Sequence, residues 1–384
     1  MKQEFPPVTD RHRIATDELN PPPRLLLGPG PSNAHPRVLR ALATPQVGHL
    51  DPHFLALMAD IQELLRYAWQ TDNDMTIPVS GTGSAAMEAT VANLLEPGDR
   101  IVIGINGYFG TRLQAMAQRY GAEVVVLQKK WGEVFTAAEL RAALEKHRPA
   151  VLALVHAETS TGACQPLAEA GALCREFDCL LLADTVTSLG GVPLFLDDWQ
   201  VDAAYSGSQK CLSCPPGIAP LTFGPRAVEK ITRRKTTVAN WYLDMSLVGK
   251  YWGAERTYHH TAPISMNYAL REALRLVAEE GLQQRWQRHA ENSRLLQQGL
   301  QDMGLACHVE EQYRLPVLVT VRVPDGVEAK SVTSRLLQEY NIEIGNGLGE
   351  LAGKVWRIGL MGHNSRRENV VLLLQALREI VGSR

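Results

Sequence analysis

From residue 24 to about residue 225 the chain repeats one pattern, and that pattern most limits how it can fold. Short, mostly apolar runs at Arg100–Ile105, Glu123–Leu127, Ala150–Val155, Cys179–Ala183 and Ala219–Phe223 alternate with amphipathic stretches at 84–95, 109–120, 136–147 and 166–177. A strand that is apolar on both sides needs cover on both sides, and parallel neighbours need a crossover long enough to hold a helix. Thr136-Ala137-Ala138-Glu139 has the spacing of a capping box at one helix start. The pattern predicts an α/β domain built on a mostly parallel sheet.

At 384 residues the chain is long enough for more than this one unit. Residues 1–23 are polar and end in Pro21-Pro22-Pro23, which fixes φ and removes backbone donors, so an extended arm is expected there. Residues 24–281 form the large domain, whose last helix, Tyr268–Gly281, carries apolar residues at 269, 270, 273, 274, 277 and 278. Residues 282–384 change character. A long helix (282–303) leads to a strand (317–323), a helix (331–340), short strands near 342–344 and 355–360, and a last helix opening at Ser365-Arg366-Arg367-Glu368. This reads as a smaller α/β domain.

A formal net charge of -2, with both signs interleaved, gives no basic stripe for nucleic acid and no polybasic amphipathic face for a membrane. Met1-Lys2-Gln3-Glu4-Phe5-Pro6-Pro7 has no apolar core of a secretory signal, and Val381-Gly382-Ser383-Arg384 is not a peroxisomal address. The six cysteines sit mostly in apolar or helical surroundings, and Cys211-x-x-Cys214 lacks a second pair at zinc spacing. Reduced thiols and a cytoplasmic location are expected, with no metal.

Several residues suggest chemistry. Asp184 closes an apolar run, and Gly207-Ser208-Gln209-Lys210 follows the strand-like residues 203–205. A lysine amine can form a Schiff base with the aldehyde of pyridoxal 5′-phosphate, and a carboxylate can keep its pyridine nitrogen protonated. Taken singly, Asp184 also fits a helix N-cap, and a lone lysine is most often a surface residue. Ser80-Gly81-Thr82-Gly83-Ser84, between an apolar stretch and an alanine-rich helix, suits a phosphate monoester, although an ordinary glycine turn would look the same. Gly28-Pro29-Gly30-Pro31 reads as a rigid turn near a site mouth, and Gly345-x-Gly347-x-Gly349 as a flexible loop. Arg357 could clamp a carboxylate through two parallel hydrogen bonds, although an arginine on its own is more often a surface ion-pair residue. In Tyr258-His259-His260-Thr261, adjacent histidines on a strand would face opposite ways, which disfavours a shared ion.

Together these residues resemble the class V, fold-type I aminotransferases, and within them the alanine–glyoxylate (serine–pyruvate) branch. The resemblance runs from Leu25-Leu26-Leu27-Gly28-Pro29-Gly30-Pro31-Ser32-Asn33 to Arg357-Ile358-Gly359-Leu360. It implies a large domain with a mostly parallel sheet of the seven-stranded type and a smaller C-terminal domain. By the same resemblance Lys210 holds the cofactor, Asp184 meets its ring nitrogen, and Thr82, Gly83, Ser84 and Gln209 bind its phosphate. Thr159 lies near the ring, Val186 and Phe109 cover its two faces, and Arg357 takes the substrate carboxylate. Tyr258 and Thr261 reach the phosphate of a neighbouring subunit, which makes a homodimer the expected active unit. A related subgroup has Trp where this chain has Phe109 and His where it has Ser84; neither change removes a group the chemistry requires. The expected reaction moves the amino group of alanine or serine to a 2-oxo acid such as glyoxylate. A cysteine desulfurase of the same fold would need a reactive thiol on a mobile loop after the lysine, and Cys307, the only cysteine beyond 214, lies in what looks like a strand start.

Overall fold

The computed structural model describes Pro6 and residues 9–382. Most of the Met1–Pro7 segment, and the last two residues of the C-terminal tetrapeptide, lie outside the described residues. The described residues of the arm up to Pro23 are exposed.

The central sheet has seven strands. Across it run Met75–Gly81, Gly217–Phe223, Ala203–Tyr205, Leu180–Asp184, Val151–Val155, Arg100–Ile105 and Glu123–Gln128. Only Gly217–Phe223 runs against its neighbours; the others share one direction and end at the same edge. Val151–Val155 and Leu180–Asp184 are buried at every position, as their unbroken apolar sequence requires. Each leucine or valine buried there contributes about 1.5–3 kcal/mol of transfer free energy. Register pairs Val155 with Asp184, and Asp184 with Tyr205, so the buried Asp184 carboxylate arrives at the carboxyl edge of the sheet. Ligand crevices of open α/β sheets form at that edge.

The helices predicted between these strands appear at Gly83–Leu94, Tyr108–Arg119, Ala137–His147 and Ala168–Glu176. The capping box at Thr136 is formed in both directions. Two further helices, Pro36–Leu42 and Pro52–Trp69, went unread in the sequence although Asp51-Pro52 is an N-cap followed by proline. The second delivers Trp69, whose indole N–H donates to Thr185 Oγ1 at 3.0 Å, just past Asp184. The expected capping box at Ser365 does not open the last helix. That helix begins at Arg367, and the Ser365 hydroxyl instead accepts from the Asn292 amide at 3.3 Å.

A second apolar core gathers Leu296, Leu336, Trp356, Ile358 and Leu377, and Leu27 packs within it. Leu25–Leu26 pairs in parallel with Ile342–Glu343, so the residues just after the arm, expected in the first unit, cross over to the second. Here Leu318–Arg322, Val355–Gly359 and Gly345–Asn346 form an antiparallel sheet with Val355–Gly359 in its centre. Gly345 is thus paired backbone opposite Arg357 rather than part of a flexible loop.

Candidate active site

A cavity of about 180 Å³ opens at the carboxyl edge of the large sheet. Lys210, Asp184, Thr82, Gly83, Ser84, Phe109, Thr159, Val186 and Gln209 all line it, drawn from separate strand ends and helix starts. Arg112, Met87, Val155, Ala157 and Thr187 complete the lining.

Asp184 is only 2% exposed. Its Oδ1 accepts from the Val186 N–H at 2.9 Å and its Oδ2 from the Tyr205 hydroxyl at 2.8 Å. Burial pushes its pKa up to about 6, and these two donors only partly offset that. Tyr205 was missed because nothing local marks it: it is the buried end of a three-residue strand and meets Asp184 only through sheet register. Burial, followed by the neighbouring Asp184 charge, raises its own pKa well above the usual phenol value.

The Lys210 side chain lies in the same cavity, buried, with its Nζ donating to the Pro29 carbonyl. Burial, and then the charge of Arg357, lowers its pKa to about 8. The turn Gly28-Pro29-Gly30-Pro31 is therefore a wall of the lysine's niche. A Cβ on Gly30 would stand 2.6 Å from Lys210 Cδ and 2.7 Å from Nζ, and Gly30 has φ +105. Both the close approach and the backbone conformation exclude a side chain there. On the other side, Ser32 Oγ donates to the Lys210 carbonyl at 2.8 Å and fixes the backbone of the loop. Gly30→Ala is expected to displace the lysine at a strain cost of about 1–3 kcal/mol. The check is cofactor retained after dialysis, which should fall in the variant; full retention would show that the niche can widen.

Thr82 is the N-cap of helix Gly83–Leu94, yet its side chain makes no capping bond. The Ala85 N–H turns back to the Thr82 carbonyl at 2.7 Å, which leaves the helix-start amides of Gly83 and Ser84, on the cavity wall, suited to an anion. Ser84 Oγ accepts from Arg112 Nη1 at 3.1 Å, and the Arg112 guanidinium lies 4.9 Å from the centre of the Phe109 ring. Glu158, fully buried, accepts from the Phe109 N–H at 3.1 Å and from the Ser160 N–H at 2.9 Å, which sets where that ring stands.

Arg357 is 6% exposed and does not line this cavity. Its Nε donates to the Asn346 carbonyl at 2.8 Å and its Nη1 to the Thr159 carbonyl at 3.2 Å. It therefore bridges the small sheet to a residue of the cavity wall. Burial lowers its pKa to about 10, opposed by Glu158. Tyr258, 57% exposed, and Thr261, also exposed, are not part of the lining within one chain. His259 and His260 lie outside any strand. In this irregular segment their Nδ1 atoms lie 2.9 Å apart, and His260 Nε2 reaches Ser80 Oγ at 3.2 Å. All six cysteines are free, and Cys307 pairs with Val321 in an isolated bridge on the edge of the small sheet rather than at this cavity.

Pyridoxal 5′-phosphate fits these groups. The buried, charge-averse Asp184 carboxylate is relieved by a cationic ring N–H. Gln209 Oε1 is buried without a hydrogen-bond partner, and a half-turn of that amide presents its NH₂ group to an anion instead. A Cβ on Gly83 would already touch Val186 Cγ2 at 3.5 Å, so the phosphate end of the cavity is closely walled.

The family model for aminotransferase class-V matches residues 27–371. Alanine–glyoxylate aminotransferase of Mus musculus is 46% identical over 365 residues, covering 94% of this chain and 88% of that protein. The (S)-ureidoglycine–glyoxylate transaminase of Bacillus subtilis (strain 168) is 40% identical over 382 residues, covering 95% of this chain and 92% of its own length. The crystal structure of alanine–glyoxylate aminotransferase from Nostoc sp. superposes with a TM-score of 0.97 at 65% identity, covering 98% of this chain and 100% of that one. Similarity of this extent spans both apolar cores. The chain belongs to the class V aminotransferases, whose cofactor is pyridoxal 5′-phosphate.

Proposed function

We propose that the protein transfers the amino group of a small amino acid, alanine foremost and serine after it, to glyoxylate, releasing pyruvate or hydroxypyruvate and forming glycine. The observation that carries this reading is the convergence of Lys210, Asp184 and the Gly83 helix start on one cavity. The named relatives add the acceptor: the mouse and Bacillus proteins differ in amino donor but share glyoxylate.

Pyridoxal 5′-phosphate supplies an aldehyde that exchanges between lysine and substrate amines, and a ring that takes up the electrons of the broken Cα–H bond. Lys210 Nζ would take the Cα proton and hand it to the former aldehyde carbon of the cofactor, two atoms away across the transferred nitrogen. With its pKa lowered to about 8, the amine has an appreciable free-base fraction near neutral pH. Asp184 holds a cation at the ring nitrogen, Val186 and Phe109 enclose the ring, and Arg357 holds the substrate carboxylate. Thr82, Gly83, Ser84 and Gln209 bind the phosphate, and Thr159 orients the ring edge. The active unit is a homodimer in which Tyr258 and Thr261 serve the neighbouring site, and it works in the cytoplasm on small-molecule substrates.

The test is a donor panel of alanine, serine, ureidoglycine and cysteine against glyoxylate and pyruvate. Alanine with glyoxylate is expected to give the largest kcat/KM, with parallel-line double-displacement kinetics. Discrimination between alanine and serine is expected to stay within about 10–200-fold, since a pocket separates such similar side chains weakly unless it bonds the hydroxyl. Sulfide release from cysteine without transamination would replace this reading with desulfuration.

A further inference from the structure

Most of the guanidinium groups around the clefts of this molecule are already neutralised. The wider cleft at the seam of the two cores, about 370 Å³, illustrates this. Its Arg285 and Arg288 are both paired with Glu280, and Glu279 is taken by Arg37 and Arg275. Arg112 is different. It lines the cofactor cavity, and its interactions are a hydrogen bond to Ser84 Oγ and the faces of Phe109 and Tyr108; among the described residues no carboxylate pairs with it. A half-buried cation without a counter-ion is costly unless a ligand supplies the charge.

Its place in the cavity indicates which part of a ligand that is. Arg112 reaches the second residue of helix Gly83–Leu94, where the unpaired helix amides already favour an anion. Gln209, with its partnerless buried oxygen, lines the same cavity. Arg357, by contrast, hydrogen-bonds Thr159 and the small sheet and does not line the cavity. We infer that Arg112 is a cofactor-binding residue: it supplies the positive charge that balances the phosphate dianion of pyridoxal 5′-phosphate, with Ser84 as the hinge between guanidinium and phosphate. No local motif announces it, because its role depends on one turn of helix Tyr108–Arg119 facing the start of another helix.

This inference rests on the cofactor reading given above, and the experiment separates the two. The apo-protein is titrated with pyridoxal 5′-phosphate and, separately, with pyridoxal, which lacks the phosphate, following tryptophan fluorescence. Arg112→Gln is expected to weaken pyridoxal 5′-phosphate binding about 10–100-fold, as loss of a charge-assisted contact does, and to leave pyridoxal binding within about twofold. Arg112→Lys, which keeps the charge but not the fork, is expected to recover part of the loss. Unchanged phosphate-ester affinity in Arg112→Gln would overturn the inference. So would an equal loss for both aldehydes, because Arg112 would then act only by packing Phe109. Failure of the unmodified protein to bind pyridoxal 5′-phosphate would instead overturn the cofactor reading itself.

Discussion

Lys210→Ala is expected to lower transamination by about 10²–10⁴-fold, the range a positioned proton-transfer group supplies, with a further loss because no amine remains to tether the cofactor. The structure gives the effect its specificity. The Lys210 amine is buried between the Pro29 carbonyl and the cavity, and among the described residues Lys210 is the only lysine in the lining. The measurement pairs steady-state turnover of alanine and glyoxylate with the absorbance of lysine-bound cofactor, and both should vanish. Lys210→Arg separates charge from basicity: a guanidinium does not deprotonate in this pH range, so a variant that keeps the cation must be as inactive as alanine. Partial recovery of Lys210→Ala by a small added amine would locate the defect in the missing base. Full activity in either variant would remove Lys210 from the mechanism.

Asp184→Asn is expected to produce opposite changes in activity and in the stability of the cofactor-free protein. Removing the charge opposite the ring nitrogen should cost about 10²–10³ in kcat, the scale of a lost electrostatic contact to developing charge. The apo-protein should become more stable. The pKa of Asp184 in the folded state is raised by burial to about 6 from an ordinary value near 3.8, so the native state holds its proton over a range where the unfolded chain has released it. Stability therefore falls as pH rises through that window, and above pH 6 the ionised carboxylate costs the apo-protein about 3 kcal/mol. Asparagine carries no such charge and still offers an oxygen to the Val186 N–H and a polar group to Tyr205. Thermal melts of both apo-proteins at pH 5 and pH 8 are the check. The variant should melt above the unmodified chain at pH 8, and the gap should shrink at pH 5. A gap that is absent or independent of pH would mean that Asp184 is already compensated within the chain.

The contrast between Lys210 and Arg112 shows how far the residues could be read in order. Lys210 sits in a loop of small residues after a strand, downstream of a strand ending on Asp184, and both features are local. The strands and the helices between them were also legible, because burial on both faces leaves unbroken apolar runs and one-sided burial leaves a helical period. Helix Pro52–Trp69 went unread although its N-cap Asp51 and the proline after it were visible. The turn at Gly30 was legible as a rigid element near the site mouth, but its close approach to Lys210 was not, and Tyr205 and Arg112 carry no local signature at all.

The sequence by itself determined the α/β architecture, because hydrophobic period is a property of short segments, and through its resemblance to a family it pointed to the cofactor class and to Lys210 and Asp184. Tertiary structure alone decided the surroundings of those residues. It brought Pro29 within hydrogen-bonding reach of Lys210 across a separation of 181 residues, aligned Tyr205 with Asp184 by sheet register, and left Arg112 facing Ser84 without a counter-charge. Charge balance and burial are sums over everything packed around a group, and they exist only once the chain has closed on itself.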